Sequence, residues 1–412
     1  MNRVSGVSSA IAAALLVVGL IIGGLVGIFA APLAHEGEAF AWEAVKMIEA
    51  RKSDHIRLAL ESGDTVKGST WLEHVHLVPR TVGDVDVNSV ETSVKFLGRW
   101  FSAPILIEGM TGGTEEAAKI NAVLAAAAEA ARIPMGVGSQ RAAIVKPELR
   151  HTFRVAREKG PKAFLIANIG AAQLAHEGEA FAWEAVKMIE ADAIAIHVNL
   201  LQEIIQPEGD RSFRGFLHNL RKICRSLGVP VIVKEVGCGL SYGDAVALKE
   251  AGVAAVDVAG RGGTNWVEIE RMRAIEAGRL DRARIAEDFL DWGIPTAASV
   301  LEASRVRGLE VVGSGGVRSG VDVAKLLVLG AVMGGLARPF LKAALEGVEM
   351  TSALIAMLKE EIQIVAALCG ASNMEDLRRT AYVITGPLKE WYDQRFPRRA
   401  RRVYNARRGI NK

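Results

Sequence analysis

From about residue 100 onward, short apolar runs alternate with longer stretches in which apolar residues recur every three or four positions. The first pattern is that of buried strands, and the second that of helices covering a sheet with one face. Strand-like runs occupy residues 104–108, 135–137, 164–167, 193–197, 231–234, 255–258, 309–312 and 331–335. Alternation of this kind predicts a parallel α/β fold, and this many runs at this spacing predict a closed (β/α)8 TIM barrel spanning residues 51–395. The runs end in GMTGGT, GSQR, NIG, HVNLLQE, KEVG, AGRGGT, GSGG and GLARP. Glycine and polar groups at strand ends are what a ligand-binding barrel rim needs.

The stretch LEVVGSGGVRSGVDVAKLLVLGAVMGGLARP, residues 309–339, is the most informative. An apolar run ends in Gly313-Ser314-Gly315-Gly316, a helical pattern covers 321–329, and a second run ends at Ala337-Arg338-Pro339. Bare backbone N–H groups and helix N-termini then converge where barrels hold a cofactor phosphate. The other ends have their own chemistry. Gly109-Met110-Thr111 allows close approach of a flat ring. Ser139-Gln140-Arg141 offers a hydroxyl, an amide and a guanidinium fork for phosphate. Asn168 offers an amide and Thr264 a hydroxyl. Lys234 follows Val-Ile-Val directly, so its side chain is expected to point into the barrel mouth. His197, Asn199, Gln202 and Glu203 form a polar set with one carboxylate suited to Mg2+, which takes few protein carboxylates plus substrate phosphates. Zinc spacing is absent. Arg51 and Lys52 could clamp a diphosphate or form a charged surface turn.

Composition adds three points. Cys224, Cys238 and Cys369 lack paired spacing, which predicts a reduced, cytoplasmic protein without disulfide or zinc framework. The net charge of +3 is uneven: residues 389–412 carry nine Lys/Arg against Glu390 and Asp393. The tail at 396–412 is read as a solvated basic terminus, or else as a patch for an anionic partner. Residues 4–34 carry no charge, and 11–31 is long and apolar enough to span a bilayer. Yet LAHEGEAFAWEAVKMIEA at 33–50 recurs without one difference at 174–191. A helix using Phe181, Val186 and Ile189 to cover a sheet has one seat, and two copies compete for it. We read residues 1–50 as a fusion or assembly seam; a membrane anchor with a short stalk is the rival reading.

The ordered set RKSDHI, EGMTGGT, GVGSQR, ANIGAAQL, HVNLLQEIIQPEGDRSFRGF, VKEVGCGLS, GRGGTNW and SGGVRSG resembles the type 2, FMN-dependent isopentenyl diphosphate isomerases. The resemblance covers about residues 51–395. It implies isomerisation of isopentenyl to dimethylallyl diphosphate, with reduced FMN as the acid–base group through its N5 and NAD(P)H as the flavin's reductant. FMN would rest on Gly109, Met110, Thr111, Ser139, Asn168, Lys234 and Thr264. Its phosphate would lie on Gly316, Val317, Arg318, Ala337 and Arg338. The substrate diphosphate would meet Arg51, Lys52, Ser139, Gln140, Arg141, His197 and Asn199. Gln202 would lie near the reacting alkene, Lys234 would favour the anionic reduced flavin, and Glu203 would hold Mg2+. Gln202, His197 and Lys234 are thus the candidate catalytic residues. The expected partners are a small-molecule diphosphate and further copies of the chain, with no nucleic acid. Two departures stand out: Ala259 replaces the family's usual Ser, and HVN stands where HLN is common.

Three rivals were weighed. A 2-hydroxy-acid oxidase shares the GGVRxGxDVxKxLxLGA phrase, but it places His and Arg at the sixth strand end, where this chain has Ala259-Gly260-Arg261-Gly262-Gly263-Thr264. An inosinate-type dehydrogenase needs a loop cysteine, and Cys238 is a weak candidate. A membrane-tethered, inactive flavin barrel is opposed by the complete polar set at the strand ends.

Overall fold

The computed structural model describes residues 57, 58, 60, 68–206 and 209–397. These belong to one compact unit that begins at Asp54. The apolar segment, the first copy of the repeat, Arg51, Lys52 and the basic tail lie outside the described residues. Among the described residues, no helix is long and apolar enough to cross a membrane.

Eight parallel strands close into a barrel. They are β1 (Ile105–Ile107), β2 (Met135–Gly136), β3 (Leu165–Gly170), β4 (Ala193–His197), β5 (Val231–Lys234), β6 (Ala255–Asp257), β7 (Glu310–Gly313) and β8 (Met333–Leu336). Closure comes from β8 pairing with β1, in the register Gly334↔Ile105 to Leu336↔Ile107. The strands are buried on both faces, between barrel interior and surrounding helices, so they read as continuous apolar runs. Every predicted run falls on a barrel strand. β3 extends further than its apolar run suggests, because Asn168 stays in the ladder opposite Ala195.

Two accessory pieces frame the barrel. A hairpin of Val94–Phe96 and Arg99–Phe101 turns through Leu97 and Gly98, both at positive φ, which is the twist a two-residue hairpin turn favours. The Leu97 N–H donates to Glu310 at the start of β7, and Phe101 meets Phe164 edge-on, so the hairpin sits at the amino-terminal end of the barrel. Val75–Leu77 pairs antiparallel with Tyr382–Ile384. The terminal helix Gly386–Arg395 is held by the buried carboxylate of Glu302, which accepts from Arg395, Trp391 Nε1 and the Tyr242 N–H.

The second copy of the repeat does not form one continuous helix. It breaks at Gly178 (φ +70°) into Ala171–Glu177 and Glu179–Met188. Ala182, Ala185 and Met188 make the buried stripe, with Phe181 and Val186 packed along its margin.

Candidate active site

Because all eight strands run parallel, their last residues meet on one rim. The phosphate cradle forms where the loops after β6 and β7 touch backbone to backbone. Gly315 and Gly316 have φ of +97° and +78°. A Cβ on Gly315 would lie 2.1 Å from Gly260 O, and one on Gly316 would lie 2.3 Å from Gly262 O. The N–H groups of Gly315, Gly316 and Val317 have no hydrogen bond among the described residues. The adjacent helix Gly320–Leu329 opens with Ser319 accepting from the Asp322 N–H. Free donors at a helix entry, in a cradle that excludes side chains, fit a phosphate. Val317 is buried, so it has its backbone to offer rather than its side chain. Ala337 and Arg338 open the next helix, Arg338–Glu346, beside this loop's barrel strand.

The flat-ring seat is equally tight. A Cβ on Gly109 would lie 2.3 Å from Val137 O. A cavity of about 300 Å3 inside the mouth is lined by Glu108, Gly109, Val137, Asn168, Lys234 and Asp257. Lys234 does point inward, as its place after three apolar residues predicts. Its ammonium donates to Glu235 O at 2.8 Å and lies 3.6 Å from Asp257 and 3.8 Å from Glu108. Asp257 also accepts from Ser314 Oγ at 2.5 Å. Sequence reasoning missed Glu108 and Asp257. Each is an acid closing an apolar run, and that was the available signal.

Asn168 bridges three strands. Its Nδ2 donates to Val137 O and its Oδ1 meets His197 Nδ1 at 2.8 Å. Since Oδ1 can only accept, Nδ1 carries the proton and Nε2 keeps its lone pair. Burial and then the charge of Lys234 push the His197 pKa down to about 3. His197 is therefore a neutral ring and cannot serve as a cation for a diphosphate.

Beyond β4, the short helix Leu200–Ile205 carries a file of polar groups. Asn199 Nδ2 donates to Glu203 Oε1 at 2.9 Å and to Gln202 Oε1 at 3.3 Å. Gln202 Nε2 donates to Glu270 Oε1 at 3.0 Å, and Arg273 donates to Glu270 Oε2 at 2.6 Å. The other Glu203 oxygen accepts from the Asp210 N–H. Asn199 Oδ1 is buried without a hydrogen-bond partner. One carboxylate and one spare amide oxygen fit a hard divalent cation completed by substrate oxygens. Among the described residues there is no cluster of three or more His, Cys, Asp or Glu that could hold a metal alone. A second cavity, about 420 Å3, is lined by Asn199, Gln202, Glu235, Thr264, Trp266 and Trp292. Glu270 and the two tryptophans were not singled out from sequence, because nothing local marks them.

Not every sequence-predicted side chain reaches the mouth. Gln140 is fully buried, with Nε2 donating to Ala185 O and Met188 Sδ and Oε1 accepting from the Asn168 N–H. Its amide is spent holding β3 against the helix Glu179–Met188, which leaves none for a diphosphate. Arg141 is exposed at the start of Arg141–Val145; Asp210 nearby is held below its ordinary pKa first by the Ser212 N–H, then by His176, with Arg141 the smallest contribution. Ser139 lies between the ends of β2 and that helix. Met110 and Thr111 follow Gly109 on the rim, and Thr264 precedes Asn265, whose side chain caps Trp266–Glu276. Burial and then Glu235 push the Cys238 thiol up to about 12, which leaves it unsuited to nucleophilic work. That disfavours the cysteine-dependent rival.

A family model described as FMN-dependent dehydrogenase matches residues 195–384. The isopentenyl-diphosphate delta-isomerase of Methanosarcina barkeri is 45% identical over 346 residues, 84% of this chain and 94% of that protein. The proteins of that name from Ignicoccus hospitalis and Archaeoglobus fulgidus are 46% and 44% identical, over 83% and 84% of this chain and 95% and 98% of their own. The chain belongs to the FMN-dependent isopentenyl-diphosphate delta-isomerases. Among solved structures, a Pediococcus acidilactici lactate oxidase superposes with a TM-score of 0.57 at 16% identity, covering 83% of this chain and 94% of that one. A flavocytochrome b2 superposes with a TM-score of 0.57 at 19% identity, covering 78% of each. At such identities the likeness is one of fold.

Two outcomes are expected. Gly316→Ala forces a side chain into Gly262 O at an unfavourable φ, so FMN affinity should fall at least about tenfold, or about 1.4 kcal/mol, in a flavin titration; unchanged affinity would remove the cradle from the phosphate site. His197 should stay neutral and Nδ1-protonated from about pH 8 to about pH 5 in nitrogen-edited NMR. Its folded pKa is depressed, so it costs stability as pH falls from about 6.5 towards 3, where the unfolded chain alone takes up the proton. A ring that titrates near pH 6.5 in the folded protein would refute that placement.

Proposed function

We propose that this isomerase converts isopentenyl diphosphate into dimethylallyl diphosphate with FMN in its reduced form and Mg2+ at Glu203. The observation that carries the reading is the juxtaposition of two different anion devices on one rim. Gly315–Val317 offers bare backbone donors after β7, and the Asn199–Gln202–Glu203 file lies after β4, braced by Glu270 from the helix after β6. One suits a tethered cofactor phosphate, and the other a mobile diphosphate with its cation.

The reaction adds a proton to one carbon of an unactivated alkene and removes one from another, so it needs a strong acid held close in a dry site. Reduced FMN supplies acid–base chemistry there, the cofactor carrying the step that side chains do poorly. The residues of the chain do the rest. Lys234 places a fixed positive charge against the flavin seat. Asn168 holds His197 in one tautomer at the diphosphate end. Asn199 orients the Glu203 carboxylate by a hydrogen bond, and Glu203 together with the unpartnered Asn199 Oδ1 would hold the cation, which would neutralise diphosphate charge there. Glu270 orients Gln202, and Trp266 and Trp292 add apolar wall to a pocket otherwise lined by polar groups. Arg51, Lys52, Ser139 and Arg141 are proposed as diphosphate ligands, supplying binding energy remote from the reacting carbons. Ala259 has no hydroxyl to offer the flavin. Reduction by NAD(P)H, assembly of several copies and a cytoplasmic location complete the reading, with residues 1–50 a seam outside the catalytic unit of 51–395.

Anaerobic protein supplied with FMN, Mg2+ and dithionite or NADPH should isomerise isopentenyl diphosphate; flavin-loaded, reduced protein without turnover would refute the activity. Glu203→Ala should raise the KM for the Mg2+–substrate complex by tenfold or more and leave FMN affinity intact. Simultaneous loss of flavin would instead assign Glu203 a structural task.

A further inference from the structure

The ammonium of Lys234 lies among more acid than one positive charge balances. Glu108 follows β1, Lys234 ends β5 and Asp257 ends β6, so barrel closure alone brings them together. Asp257 Oδ2 is 3.6 Å and Glu108 Oε2 3.8 Å from Lys234 Nζ, and the two acid side chains are 2% and 8% exposed. The His197 ring, also beside Lys234, is neutral, and burial raises the Glu235 carboxyl to a pKa of about 7 against the N–H groups of Val236, Gly237 and Cys238 that it accepts from, so that it adds to the acid around Lys234 when ionised. Two carboxylates and one ammonium would leave a net negative charge on side chains that are nearly all buried, where uncompensated charge is costly.

Two oxygens point to the remedy. Glu108 Oε1 and Asp257 Oδ2 are both buried without a hydrogen-bond partner. A single proton on Glu108 makes that carboxyl a donor and leaves one carboxylate opposite one ammonium. Burial drives the Glu108 carboxyl well above its usual range, the charge of Asp257 adds to this, and Lys234 opposes it. Burial works against the Lys234 charge, but Asp257, Glu108 and Glu235 more than offset it, so the ammonium persists.

We propose that Glu108 and Asp257 share one proton, present a single negative charge to Lys234, and thereby set the reduction potential of the flavin seated above it. The inference rests on the flavin reading. Reduction brings negative charge onto the cofactor beside Lys234, and the shared carboxylate tempers the attraction. Both acids act through Lys234 and are positioning residues. Either one alone can carry the charge: an amide at 108 leaves Asp257 ionised, and an amide at 257 lets Glu108 ionise in its place.

The test is the flavin midpoint potential of the holoenzyme, wild type against Glu108→Gln and the double variant Glu108→Gln/Asp257→Asn. The single variant should stay close to wild type. The double variant, in which Lys234 loses the Glu108–Asp257 charge and keeps only Glu235 of these acids, should shift upward by about 30 mV or more, a tenfold change in the ratio of reduced to oxidised flavin. A double variant no different from the single one, or a single variant shifted as far as the double, overturns the proposal. Infrared difference spectra of wild type and Glu108→Gln give a readout that does not require the double variant to fold. A carboxylic-acid carbonyl band present in wild type should vanish in Glu108→Gln; its absence from wild type overturns the shared proton. Failure of wild-type protein to bind FMN would sink the flavin reading separately, and the infrared result would still stand or fall alone.

Discussion

Closure of the barrel through β8 and β1 is the constraint on which everything else rests. A parallel ring has one carboxyl end, so each strand must deliver its last residues to the same rim. Eight loops then crowd a small circle, and backbone has to touch backbone. That is why Gly109, Gly315 and Gly316 stand where a Cβ would strike a carbonyl. The same closeness leaves N–H groups free of intramolecular partners. The glycines are first a solution to crowding, and the anion cradle follows from it.

The rim divides its labour by the kind of donor. After β7 the rim presents backbone groups, which have no side-chain entropy to lose. After β4 it presents side chains positioned through hydrogen bonds, as Glu203 is by Asn199 and Gln202 by Glu270. Between the two lies a region of controlled charge. His197 is kept neutral by burial and by Lys234, and Lys234 is kept charged by the acids beneath it. The two effects are one: the nearby cation that acids retain in its ionised form is also what keeps the histidine uncharged.

The strands were legible in the sequence because burial on both faces erases alternation and leaves plain apolar runs. The strand ends were legible because glycine and polar residues interrupt those runs. What could not be read was side-chain direction and pairing across the ring. Gln140 lies in a motif that resembles a ligand set, yet its amide turns outward to Ala185 and Met188, since the helix after β3 offers a carbonyl there. Asn168 was placed at a strand end but sits within the ladder, where it can reach both neighbouring strands. Glu108, Lys234 and Asp257 are separated by more than a hundred residues or by a whole βα unit, and only closure makes them neighbours. Gly178 breaks the repeat helix because the chain there takes a positive φ that no periodicity of Phe181, Val186 and Ile189 reveals.

The likeness to lactate oxidase and flavocytochrome b2 raises the question of what separates an isomerase from a hydride-removing enzyme on one barrel. The end of β6 supplies an answer. Hydride abstraction from a hydroxy acid needs a base and an anion-binding arginine there, and this chain has neither a histidine nor a free guanidinium. Arg261 turns away to Asp291 and lies against Gly68, and Ala259 adopts a φ of +34°, its N–H held near Asp257 Oδ1. The loop after β6 is packed backbone to backbone against the loop after β7, at Gly260 and Gly315. Beside the end of β4, Gln202 is buried against Glu270 of the helix that follows β6. The mouth therefore carries a largely buried cation, Lys234, at the end of β5 and a buried amide–carboxylate pair, Gln202 and Glu270, beside the end of β4. The one acid that ends β6, Asp257, is engaged by Lys234 and by Ser314 Oγ rather than set beside a histidine and an arginine.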